Sequence, residues 1–382
     1  MEPFALYVHV PYCRHVCPYC DFNVQAAAEP PERPYVTALS TELAAWAARP
    51  PWPARRVKSV YLGGGTPSLF SPGAIADVLT AVRDRFGLAP DAEITLEANP
   101  GTVTPASLAG YAAAGVNRLS LGAQSFHSGL LRVLGRDHSP DDTRAALAAA
   151  HAAGFSNRSL DLIFAVPGET LADWQHDLAT ALDLEPEHVS AYCLTWEDGT
   201  PFAAWRASGR LAPVADDVEA AMVEAATVAL AQRGYERYEI SSWARPGFAS
   251  RHNTSYWDGS DYLGVGAGAH SFSAMPAPGR RWANVRRPDV YRATVAATGT
   301  AVDSDERLTP AQARADFVLT GLRRTSGIDV VAFARRFGQP LGDVFPQLAE
   351  LVHDGLVEQA AGRVRLTARG LVFADTVAAR FV

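Results

Sequence analysis

Apolar and polar positions follow two rhythms along the first 235 residues. Short runs rich in β-branched and aromatic residues occur at 5–10, 59–62, 93–97, 118–122, 159–164 and 188–195. Between them, stretches such as 34–48, 72–86, 140–153 and 171–184 space their apolar residues three to four apart, as an amphipathic helix does. This alternation predicts an α/β protein with a parallel sheet covered by helices, because parallel neighbours need a crossover between them. Six such units suit a partial parallel (β/α)6-type barrel better than a doubly wound sheet.

A helix is expected over 216–233, followed by an irregular stretch rich in glycine, aromatic and polar residues. From 308 the character changes again. Helical patterns at 311–324, 329–337 and 342–354 precede two short β-like pieces at 356–359 and 364–366, which suggests a small winged-helix-like domain. The expected organisation is a barrel core over 1–235, an irregular connecting region over 236–307 and the small domain over 308–382.

Composition narrows the function classes. A net charge of −7 argues against a protein that tracks phosphates, and the nine arginines after 307 are nearly balanced by seven acidic residues. No partner nucleic acid is therefore expected. No apolar run approaches the roughly 18–20 residues that span a bilayer, and the first residues carry no basic leader, so a cytoplasmic protein without stable membrane insertion is expected. Four cysteines are too few for a disulfide framework, yet three of them fall within eight positions.

Those three are Cys13, Cys17 and Cys20, directly after the first predicted strand. Thiolates are the usual ligands of iron–sulfur clusters, and three on one loop can grip three corners of a cubane. The fourth iron is then free to chelate a small molecule. Zinc held by the three thiolates with His15 or Cys193 is the alternative. The second predicted strand ends in Gly63-Gly64-Gly65-Thr66-Pro67, where missing side chains let a ligand approach the backbone closely. A glycine run by itself is more often a tight turn. Glu97, Gln124, Arg136 and Asp161 follow at or near later strand ends, which form one mouth in a barrel.

The C-x3-C-x2-C spacing is similar to that of radical S-adenosylmethionine proteins. YVHVPYC, YLGGGTPSLF, LSLGAQSF, LGRDHS and DLIFAVPGET occur in the order found in oxygen-independent coproporphyrinogen III oxidases and their relatives. The resemblance spans nearly the whole chain. It implies a 4Fe–4S cluster on Cys13, Cys17 and Cys20, and S-adenosylmethionine contacts at Tyr7, Tyr19, Gly64, Gly65, Thr66, Glu97, Gln124, Arg136 and Asp161. It leaves open whether one or two such molecules bind. Ala165 and Glu169 stand where glycine and glutamine are more usual.

Two departures bear on activity. The oxidases carry a further cysteine two positions after the triad, where this chain has Phe22, and they have a longer N-terminal extension. Both features instead resemble the radical-SAM haem chaperone branch, which also carries an H-N-x-x-Y-W motif, here His252 to Trp257. A neutral imidazole can ligate haem iron and aromatic rings can flank a porphyrin, although the same motif also suits a hydrogen-bonded core wall. The resemblance implies haem as cargo with His252 as candidate ligand and His270 as its competitor. It further implies a haem-accepting protein and an electron donor such as a flavodoxin or ferredoxin. The alternative is the oxidase itself, in which a radical enzyme of porphyrin biosynthesis converts propionates to vinyls.

Overall fold

The computed structural model of the chain describes residues 2–381. Six strands carry its first half: β1 (Phe4–Val10), β2 (Val57–Gly64), β3 (Leu88–Ala98), β4 (Arg118–Gln124), β5 (Arg158–Phe164) and β6 (His188–Cys193). They lie side by side in chain order, each parallel to the next. Four of the intervening helices start at Ser71, Thr104, Ser139 and Thr170, whose side chains accept a backbone N–H three residues on. Proline follows the first three of these caps, where its fixed φ suits a helix and its missing N–H costs nothing.

Alternation along the strands separates two environments. Leu6, Val8, Val60, Leu62, Ile94, Leu96, Leu119, Leu121, Leu160 and Leu162 are buried in one core with Leu39, Leu43, Val78 and Leu79 of the covering helices. Each such side chain contributes roughly 1.5–3 kcal/mol by leaving water. The positions between them are polar. Tyr61, Glu97, Arg118, Ser120, Asp161 and Ser190 face a common cavity. The sheet therefore encloses a polar lumen inside an apolar jacket.

The stretch expected to be irregular, 236–307, is mostly regular. Two strands, β7 (Glu236–Glu239) and β8 (Ser242–Ala244), extend the sheet beyond β6. Four more, β9 (Tyr262–Val265), β10 (His270–Ser273), β11 (Arg280–Asn284) and β12 (Val302–Arg307), extend it beyond β1. Only β9 joins in parallel, beside β1, whereas the remaining additions pair antiparallel. The full order is β12-β11-β10-β9-β1-β2-β3-β4-β5-β6-β8-β7. These strands are too short for a two-residue period to stand out. Buried Glu42 of the helix Glu32–Ala47 pins the β1-side extension by accepting from Gly266 N at 2.9 Å, Asn284 Nδ2 at 2.7 Å and Tyr291 Oη at 2.6 Å.

The C-terminal unit contains the helices Pro310–Leu322 and Val330–Phe337 and a hairpin of Val357–Ala360 with Arg363–Leu366. Ile328–Asp329 adds a third strand to that hairpin. The helix expected over 342–354 is divided into Leu341–Val344 and Leu348–His353, with Pro346 in the break. Val318, Phe333, Leu348, Val364 and Phe381 form a core separate from that of the barrel. Among the described residues no helix is long and apolar enough to cross a membrane.

Candidate functional site

The cysteine loop leaves β1 and is tied at its base by a parallel two-residue ladder, Tyr12–Cys13 with Gln25–Ala26. Cys20 N donates to Cys17 O at 3.1 Å, turning the chain back on itself. From outside, His15 Nε2–H donates to Gly135 O at 2.6 Å and Phe202 N donates to Pro18 O at 3.0 Å. Pro18 presses against Gly135, where a Cβ would sit 2.6 Å from the proline ring on a backbone of φ 67°. Only glycine lets the loop seat there.

Cys13, Cys17 and Cys20 are free thiols, each partly buried, and all three line one cavity of about 1010 Å³. Two donors reach their sulfurs: Thr66 Oγ1–H lies 3.5 Å from Cys13 Sγ, and Arg136 Nη1 lies 3.7 Å from Cys17 Sγ. Burial pushes the Cys13 thiol up, and pushes Cys20 up to about 11.

Tyr19, Gly64, Gly65, Thr66, Glu97, Gln124, Arg136 and Asp161 line the same cavity. Gly64 has φ 113°, and a Cβ there would lie 2.5 Å from the His9 ring. Its N–H donates to Glu97 Oε2 at 3.1 Å, while Tyr61 Oη donates to Glu97 Oε1 at 2.7 Å. Burial raises the Glu97 carboxyl to about 7 against these two donors. Asp161, also raised chiefly by burial, accepts from Ser120 at 2.8 Å and Ser159 at 3.3 Å. Gln124 and Ala165 both take left-handed backbone angles, φ 64° and 61°. The expectation that glycine is usual at 165 therefore has a physical basis.

Two expected residues lie elsewhere. Tyr7 is not among the cavity-lining residues; its ring stacks beside Tyr61 at 6.3 Å and its hydroxyl donates to His9 Nδ1 at 2.9 Å. His9 Nε2–H in turn donates to Asn23 O at 2.9 Å, and burial lowers its pKa to about 4, so the ring is neutral. His252, the candidate haem ligand, is not among the cavity-lining residues either. It is 1% exposed, with Nδ1 3.1 Å from Ser59 Oγ and Nε2 2.8 Å from Tyr256 Oη. Burial lowers its pKa to about 3. Both ring nitrogens are engaged within the core wall. His270 is exposed, on β10.

Some of the wall was not legible in the sequence. Arg118, Tyr192 and Asn253 line the cavity, as do Val372 and Phe373 from the C-terminal unit. A charge opening the apolar strand at 118 was the available signal, since unpaired arginine is rarely buried. Val16, Phe22, Tyr192, Val372 and Phe373 are apolar residues that stay exposed around this cavity, Phe22 to 66%.

Residues 7–181 match the Radical SAM superfamily model and residues 308–373 match the HemN C-terminal domain model. A heme chaperone HemW of Mycobacterium tuberculosis is 39% identical over 381 residues, covering 98% of this chain and 94% of its own. That of Escherichia coli K12 is 36% identical, covering 100% and 99%, and that of Bacillus subtilis 34%, covering 99% of each. Among solved structures, the coproporphyrinogen III oxidase HemN of E. coli superimposes with a TM-score of 0.85 at 25% identity, covering 99% of this chain and 90% of that one. With relatives this similar along its full length, the chain belongs to the HemW family of radical SAM proteins.

Proposed function

We propose that this protein is a haem chaperone of the cytoplasm. It holds a 4Fe–4S cluster on Cys13, Cys17 and Cys20, binds S-adenosylmethionine beside it, and passes haem to an acceptor protein. The observation that carries this reading is a single cavity with three free thiols, a polar cradle and a margin of exposed apolar rings. A flat apolar macrocycle with carboxylate arms needs such a mixed wall.

The residues fit the cluster. Among the described residues no three ligating side chains converge on one point as a single ion requires. Three free thiols of one loop line one cavity, which suits three corners of a cubane. When bound, the cluster supplies an open iron for the amino and carboxylate groups of S-adenosylmethionine and a one-electron redox couple. Thr66 and Arg136 offset the negative charge of their thiolate partners. Glu97 offers a carboxylate, and Gly64 a bare backbone, to the nucleoside amino acid. Phe22 and Phe373 offer apolar surface at the outer part of the cavity.

The oxidase reading shares fold and cofactor, but Phe22 replaces its additional cysteine, and the full-length relatives carry the chaperone name. Anaerobic incubation with coproporphyrinogen III, S-adenosylmethionine and a reduced flavodoxin separates the two. The expected result is no vinyl product and a Soret band on titrating haem; vinyl product would overturn the chaperone assignment.

A further inference from the structure

Five arginines line the cavity: Arg14, Arg118, Arg136, Arg237 and Arg323. Four are occupied. Arg14 donates to Gly101 O at 3.1 Å, and Arg136 to Gly122 O at 3.1 Å and to Cys17. Arg237 donates to Ile240 O at 3.1 Å and lies over the Trp243 ring, and Arg323 lies 4.6 Å over Trp257. Arg118 differs. It is 2% exposed, its Nε has no partner, and no hydrogen bond from its guanidinium is found among the described residues.

Nearby acids do not supply what is missing, because their oxygens are held by other donors. Glu93 accepts from Arg251 N and His252 N, both at 3.0 Å. Glu97 is held by Tyr61 and Gly64, and Asp161 by Ser120 and Ser159. Their charge still reaches Arg118 through a medium poor in water. Burial works against its protonation, and the surrounding groups, Glu93 foremost, outweigh that effect. The result is a fixed cation with a fork of N–H donors aimed into a cavity. Leaving such donors unmade is costly, the more so for a charged group, unless a ligand meets them. A planar carboxylate matches the fork in two parallel hydrogen bonds.

We propose that Arg118 is the receptor for a propionate carboxylate of the tetrapyrrole cargo. This rests on the haem reading above. The ligand's acid enters the lumen past the nucleoside cradle and pairs with the guanidinium. Its macrocycle stays among the apolar side chains of the outer wall. The cavity, at about 1010 Å³, lies at the upper end of the roughly 300–1,000 Å³ range of ligand pockets, which leaves room beyond one nucleoside.

The test uses full-length, cluster-reconstituted protein and Soret titration with haem and with haem dimethyl ester. The unaltered protein is expected to prefer the diacid at least tenfold. Arg118→Gln should abolish that preference by weakening haem alone, and Arg118→Lys should retain part of it. Equal affinity of the unaltered protein for acid and ester would overturn the proposal without any variant. So would Arg118→Gln weakening S-adenosylmethionine in equilibrium dialysis while leaving haem binding intact, since the carboxylate would then be the nucleoside's. If the unaltered protein binds neither haem nor its ester, the haem reading itself fails, and this seat falls with it.

Discussion

The cysteine loop with its cradle, and the His252–Trp257 helix, are both recognisable as short motifs, yet the fold treats them in opposite ways. In the loop, sulfurs and backbone groups point into a cavity and keep bonding capacity to spare. In the helix, Ser250 caps the first turn, Glu93 accepts two backbone N–H groups, and Ser59 and Tyr256 take up the imidazole. Only Asn253 of that motif lines the cavity, while Trp257 lies beneath the guanidinium of Arg323. A motif names the chemistry its side chains could perform. Whether they perform it depends on which lone pairs and protons the surroundings leave unspent.

The largest expected effect tests the open side. Replacing Cys17 with alanine removes one corner ligand, and iron after anaerobic reconstitution should fall from about four per chain to a small residue. Iron retained at the unaltered level would break the contrast. The next tests the closed side. His252→Ala strands the Ser59 and Tyr256 hydroxyls and opens a void, for a loss of about 2–4 kcal/mol in chemical denaturation. The folded fraction should keep its haem absorbance. An unchanged stability with a lost Soret band would instead make the histidine the ligand.

Within the cradle, Gly64→Ala places a methyl against His9 on a left-handed backbone. Strain of about 1–3 kcal/mol should appear as a loss of roughly tenfold or more in S-adenosylmethionine affinity by dialysis. Glu97 sharpens the comparison by pH. Its carboxyl titrates near 7 because it is buried, so above that value it carries the charge that attracts an ammonium group. Nucleoside affinity should therefore fall as pH drops below about 7, by up to about tenfold per unit, and Glu97→Gln should flatten the profile. The smallest effect is Ala165→Gly. Relief of a left-handed alanine, worth about 1–2 kcal/mol, is partly offset by added freedom of the unfolded chain. A net gain of up to about 1 kcal/mol is expected in thermal or denaturant unfolding.

The six parallel strands were legible because each is an alternating run bounded by turn residues, and most lead into a helix whose capping residue the sequence shows. The cradle was legible because glycines, an acid and an amide recur at successive strand ends. The six short strands of 236–307 were not, since three to six residues carry too little period to separate strand from coil. The engagement of His252 was hidden for a different reason. Ser59, Glu93 and His252 lie far apart in sequence, and no local pattern reports a contact across such distance. Arg118 was passed over because one charge in an apolar strand resembles the end of that strand, and only the saturation of its acidic neighbours shows that it is unpaired.

Val372 and Phe373 belong to a unit whose core is separate from the barrel's, yet they form part of the barrel's cavity wall. A molecule seated in the cavity therefore bridges two independently packed bodies. Its binding energy counts toward holding them together, so loading should merge what would otherwise be two melting transitions into one.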